Sequence, residues 1–426
     1  MSVSPPRRCA RERVTVPHDH AAHAPSSTVE PGVRRRARVL FAAVLLPALL
    51  ATVVGWWLLR PTGEMPVLET TGPGQTFHTA TVLSVGTDTY DQPVARATLD
   101  GVAVDVLVPP EYGDELQPGD LVRVVTVPDV APGTAPYLFV DLERGPPLAL
   151  LAVVFAVLVV AVARWRGLAA LVGLGFSLVV VGTFTLPALV AGRPAAAVGL
   201  VTSSLIMFVV LYLAHGFSLR TSTALVGTLA GLGVTCAIAV WATGAAQLTG
   251  LSDEYAPDLR TLAPELRMRE VLLCGMVLAG LGVLNDVTIT QASAVWELHA
   301  GDGSATRRTL FARGMRIGRD HIASTVYTIV FAYVGATLPL VLLVAMSDRT
   351  LLGALSSGEL AEEVARTLVG SIGLVLAIPL TTLVAVLAVG AAARPAGPGR
   401  PPADPAAVAV AGDPAAALDS GAAAGR

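Results

Sequence analysis

Lysine is absent from all 426 residues, so each of the 29 basic side chains is an arginine. A Walker A loop needs a lysine to reach its phosphates, which excludes an ATP-driven motor built on that motif. Cysteine is scarce too: Cys9, Cys236 and Cys274 are too few and too scattered for a disulfide framework or a thiolate metal site. Charge is the third shortage. Only 14% of the chain is Asp, Glu, Lys or Arg, against about a quarter in soluble domains. With 53% hydrophobic residues and a mean hydropathy of +0.66, the class is a polytopic membrane protein. The net charge of −3 comes with no concentrated basic face, and no nucleic-acid partner is expected.

Residues 1–38 are rich in Pro, Ser, Arg and His without an apolar period, and read as a disordered cytoplasmic tail. The run at 39–59 is long enough to span about 30 Å of hydrocarbon and lacks a small-x-small cleavage site before Arg60-Pro61, as expected of an uncleaved signal anchor. A cleaved secretory signal is the alternative. Residues 61–145 change character: five short β-branched runs, separated by Asp-Gly, Pro-Pro and Pro-Gly-Asp turns, predict a small extracytoplasmic β domain, OB-like in size. His78, Asp88, Asp91, Asp100 and Asp105 are scattered over it as solvated faces and turns.

A seven-helix membrane domain is expected over 146–393, with spans near 148–163, 168–190, 195–214, 221–246, 270–291, 321–346 and 367–392. The anchor brings the count to about eight. Arg164, Arg166, Arg220 and the arginines of 299–320 then fall on the side of both termini, and this bias places the termini in the cytoplasm. The Ala-, Pro- and Gly-rich segment 394–426 reads as a second disordered tail. In the span 221–246, Ala224, Thr228, Gly231, Thr235, Ala239, Ala242 and Ala246 share a face, a small-residue seam suited to close helix packing.

The most informative stretch is 275–298, where an apolar span runs without a break into polar residues. Asp286, Thr290, Ser293 and Glu297 fall within about a 60° arc of one helix face. An ionisable residue in or near the bilayer is expensive and usually faces a protein interior or water, so this stripe is the candidate path, with Asn285 and Gln291 beside it. In the span 321–346, His321, Thr325, Thr328, Ala332, Gly335 and Pro339 share a second face, expected to pack against the first.

Asn285-Asp286-Val-Thr-Ile-Thr-Gln-Ala-Ser293-Ala-Val-Trp-Glu297-Leu298, followed by Gly318-Arg319-Asp320-His321 and Tyr333-Val-Gly-Ala-Thr-Leu-Pro339, resembles the YibE/F family of bacterial multispanning membrane proteins over roughly 146–392. The resemblance implies a bacterial cytoplasmic (inner) membrane location and a permease-like role. Many relatives carry paired acids where this chain has Asn285-Asp286.

Three function classes follow. A permease using a proton or cation path beside Asp286 would move an unidentified small solute or ion. An assembly protein would instead dock a protein partner on its outer β domain. An intramembrane enzyme fits least. An aspartyl mechanism needs two facing acids inside spans, and His215-Gly216-Phe217-Ser218 lacks a Gly-x-Ser-x-Gly elbow. No cofactor is expected; His18, His20 and His23 in the tail are the weak candidates for a metal.

Overall fold

The computed structural model describes residues 31–61, 63, 65, 75–88, 91–127, 137–252, 255–348 and 350–390. His18, His20, His23 and the expected tail 394–426 lie outside them. Helix α1 covers Pro31–Leu59, so helix begins eight residues before the apolar run. The basic stretch at 34–38 is its first turns rather than the end of a tail.

The β domain holds β1 (Phe77–Thr87), β2 (Pro93–Leu99), β3 (Val102–Leu107), a short α2 (Pro110–Gly113), β4 (Leu121–Thr126) and β5 (Tyr137–Leu142). These close a barrel in the order β1-β2-β3-β5-β4. β1 is the longest strand, and its register shifts between Val82 and Ser84, so one half pairs with β4 and the other with β2. Between β2 and β3, Asp100 and Gly101 take φ of 51° and 85°. Two consecutive positive φ values are what a two-residue type I′ hairpin demands. β3 and β5 pair parallel, Val106 opposite Tyr137. Ala80, Ala95 and Ala97 leave room inside for Val82, Val106, Leu116, Val122, Val124 and Phe139.

The remaining chain is helical. α3 runs from Gly145 to Val180 and passes through a single π turn, Val181–Thr185, into α4 (Leu186–Val190). These 46 residues would measure about 69 Å as one straight helix, over twice a hydrocarbon core. The run is broken at Arg164, whose φ of 53° and ψ of −131° are not helical. Just past the break, Gly167 abuts the carbonyl of Val159, eight residues back, as only a folded-back chain allows.

There follow α5 (Ala195–His215), α6 (Leu219–Ala245), α7 (Ala256–Leu262), α8 (Met268–Gly301), α9 (Arg307–Ala336), α10 (Leu338–Ala345), α11 (Leu351–Leu355) and α12 (Gly358–Gly390). Six helical stretches are long and apolar enough to cross a membrane, and the pair α9 and α10, bent by 75°, makes a seventh. The bend falls at Thr337–Pro339, where a prolyl ring removes a backbone donor. Expected span and helix differ most here. α9 starts at Arg307, so most of the basic segment 299–320 is helix and not loop.

α6, α8 and α12 form the centre, with α5 and α9 against it. Close approach is made by small residues, as the 221–246 seam predicts: Ala224, Thr228, Gly231, Thr235 and Ala239 are all buried. Thr235 wedges between Gly280 of α8 and Gly373 of α12, and a methyl on Gly231 would stand 3.0 Å from Ala377 Cβ.

Candidate functional site

The polar groups of this bundle form a column between α6, α8, α9 and α12. Thr228 of α6 and Thr288 of α8 share a hydrogen bond at 2.6 Å. One turn on, the amide of Gln291, only 3% exposed, donates to Thr382 Oγ1 of α12 at 2.7 Å and to the Gly314 carbonyl of α9 at 2.9 Å. Thr382 passes its own proton to the Ile378 carbonyl. Gln291 thus joins three helices. α9 reaches it because Gly314 and Gly318 carry no side chain: a methyl on Gly318 would sit 2.5 Å from Ile378 Cγ2 and 3.3 Å from the Gln291 amide.

On the same three helices, Asn285 Oδ1 of α8, His321 Nε2 of α9 and Thr381 Oγ1 of α12 are buried without a hydrogen-bond partner. Thr381 packs on Gly227, Val287 of α8 and Ile322 of α9 share one apolar cluster, and Asn285 also receives the Thr288 hydroxyl on its carbonyl. An unpaired polar atom in a dry interior costs roughly 1–3 kcal/mol, so such groups mark places where water or a solute would be bound.

The column stops short of an open cavity of about 580 Å³ at the helix ends. Ser293 and Trp296 of α8 line it, with Arg38 of α1, Arg166 beyond the break in α3, and the turn joining α5 to α6. Trp296 is held by its indole N–H on Thr223 Oγ1 at 3.3 Å. Arg220 reaches across to Glu297, 2.6 Å away.

The expected stripe is therefore split. Ser293 lines the cavity and Glu297 binds Arg220, whereas Asp286 and Thr290 lie exposed on α8, away from the bundle. Thr290 only returns its hydroxyl to the Asp286 carbonyl. An acid was expected to turn inward; the inward face here is Leu284, Val287, Thr288, Gln291 and Val295, packed against glycines and threonines with no space for a carboxylate.

The expected meeting of the His321 face with this stripe also fails. α9 packs through Leu310, Gly314, Gly318 and Ile329, while Thr328, Ala332, Gly335 and Pro339 are exposed. His321 and Thr325 sit at the margin, half-buried, Thr325 donating to the His321 carbonyl. Sequence reading had Thr228 only as a packing-seam residue and Gly318 only within a motif, and it missed Thr288, Thr381, Thr382 and Gly314. A Thr-Thr pair beside Pro379 in an apolar run was the available signal.

Outside the spans, two carboxyls sit below the ordinary carboxylate range. Asp141 is held there by the Leu142 N–H and then by Arg144, and Asp302 by the Ser304 hydroxyl and then by Arg313. Among the described residues, no three His, Cys, Asp or Glu side chains gather as a metal would require.

Helices of membrane-crossing length around a buried polar column, with a closed barrel on one connection, define a polytopic membrane protein with one appended β domain. The model of the YibE/F-like protein family matches residues 151–391, more than half of the chain, and the protein belongs to that family. The match covers the helical domain and leaves the barrel outside. No curated protein and no solved structure was found to match the chain.

Proposed function

We propose that this is a permease-like protein in which the column between α6, α8, α9 and α12 is the closed form of a proton- or cation-linked path. The observation that carries the reading is the set of buried, unpartnered polar atoms on Asn285, His321 and Thr381, one on each of the three helices that Gln291 joins. A packed scaffold would fill these places with apolar groups, because nothing in a bilayer repays an orphaned polar atom. Asp286 adjoins Asn285 but is exposed on α8, so the reading requires that an open form of the path bring this carboxylate inward. The reading involves no catalytic step and no cofactor.

We count eight crossings, and the placement of the helix ends supports that count. Arg38, Arg166, His215 and Leu219 meet at one cavity, whereas Gly63, Pro187, Ala191 and Leu262 meet at another. On this count the chain crosses between Gly145 and Arg166 and again before Pro187. On the same count Arg307–Arg319 fall on the first side, which the arginine bias assigns to the cytoplasm. The barrel lies on the other side, and its strand order with a parallel β3–β5 pair supports an OB-like assignment.

Two measurements test the path. In proteoliposomes with an entrapped pH dye, the wild type should carry protons or a cation-coupled flux that Asp286→Asn removes while thermal stability stays unchanged. On a background lacking Cys9, Cys236 and Cys274, cysteines at 285, 321 and 381 should react with an impermeant thiol reagent during turnover. Equal flux from wild type and variant, with all three cysteines inert, refutes the path.

A second reading has its own observation. Leu121, Leu138 and Val140 stand exposed on the neighbouring strands β4 and β5, and this apolar face would suit a protein partner.

A further inference from the structure

The cytoplasm-proximal cavity is more basic than the path requires. Arg38 and Arg166 line it, and among the described residues neither has an ion-pair partner. The nearby acid Glu297 is already engaged by Arg220. α6 begins at the same wall, capped by Ser218, which accepts the Thr221 N–H at 3.0 Å, and its first turn carries no acid. The positive end of a 27-residue helix therefore adds to two free guanidinium groups.

A second cavity, of about 340 Å³, shares Arg38, Phe217, Ser218 and Leu219 with the first. It runs along Phe41, Ala42, Leu45 and Leu46 of α1 toward the bilayer interior. Phe217 is 89% exposed and stacks on Tyr212 at 4.5 Å, building an apolar wall where the two cavities meet. From Arg38 to Leu46 the groove descends about 12 Å at 1.5 Å per residue, a depth from headgroup into acyl chain.

We infer that these joined cavities bind an anionic phospholipid, its phosphate between Arg38, Arg166 and the start of α6, and one acyl chain along α1. A basic pocket between helices at a cytoplasmic face recognises phosphate headgroups by charge. A soluble phosphate ester shares that chemistry but leaves the apolar groove empty, and the continuity of the two cavities selects the lipid. The site is independent of whether a path opens beside Gln291.

The test is native mass spectrometry of the full chain in detergent with dioleoylphosphatidylglycerol or dioleoylphosphatidylcholine, paired with thermal midpoints in each lipid and in sn-glycerol 3-phosphate. Wild-type protein should retain the anionic lipid preferentially and gain thermal stability from it. The Arg38→Gln/Arg166→Gln variant should lose about five-fold in retention per arginine removed. Ala42→Trp, which fills the groove and keeps the charges, should lose lipid protection while leaving any response to glycerol phosphate intact.

Equal retention of both lipids by the wild type overturns the inference and needs no variant to fold. Selectivity that persists in the double variant overturns it as well. Protection by glycerol phosphate equal to that by the lipid, together with a silent Ala42→Trp, makes this a solute phosphate site and overturns the lipid assignment.

Discussion

At the scale of single residues, Gln291 and Gly318 separate the two ways α9 is held. Gln291→Leu keeps the volume but removes the bonds to Thr382 and Gly314, a loss of about 0.6–1.7 kcal/mol for interhelical hydrogen bonds in a membrane. Gly318→Ala pushes a methyl into Ile378 and the Gln291 amide, and overpacking of this kind costs about 1–3 kcal/mol. Unfolding in mixed SDS micelles should rank Gly318→Ala as the more destabilised, with Asp286→Asn unchanged. A Gln291→Leu protein weaker than Gly318→Ala would mean that polar bonding, not close approach, holds α9.

The same residues show why the site was half legible. Periodicity placed Asp286, Thr290, Ser293 and Glu297 on one face, and they do share it. Which face of α8 turns inward depends on what α6, α9 and α12 offer, and they offer glycine and threonine. The stripe that looked functional because it was charged is the stripe that the close-packed interior could not take in.

At the scale of elements, the strands were the most readable. Turn chemistry such as Asp100-Gly101 fixes a hairpin locally, and all five runs became strands. The extents of α8 and α9 were not readable, because each continues beyond the bilayer as a polar helix, where hydropathy no longer marks it. Starting the span at His321 hid Gly314 and Gly318, and with them the packing face of α9.

The turn between α8 and α9 is pinned by Asp302, which accepts from Arg313 at 3.0 Å and from Ser304 at 2.7 Å. Its folded carboxyl titrates below the ordinary range. A lowered folded value contributes stability that is present above the unfolded value and lost as pH falls through the folded one. The thermal midpoint of Asp302→Asn should therefore lie slightly below wild type at neutral pH, and the gap should close as pH falls below the ordinary carboxylate range. A gap constant over that range would mean that geometry, and not charge, secures the turn.

At the scale of the whole molecule, the proposed sidedness rests on two cavities rather than on any single span. Hydropathy alone counts 145–190 as one stretch, yet its break at Arg164 sits at the cavity that also receives the ends of α1, α5 and α6, while Pro187 sits at the opposite end. An uncrossed 145–190 segment would put Arg166 and Pro187 at one end of the bundle, which the two cavities contradict. The proposed eight crossings put Val102, 64% exposed on the barrel, opposite Ser304 in the turn between α8 and α9.

Single cysteines at these two positions, on a background without Cys9, Cys236 and Cys274, should label oppositely with an impermeant maleimide in intact cells. Position 102 should react at once, and position 304 only after lysis. Labelling of both before lysis would require an even number of crossings between them, so the segment 145–190 would have to cross once rather than twice. The arginine cavity would then open on the barrel's side, away from the anionic leaflet that its charge is suited to meet.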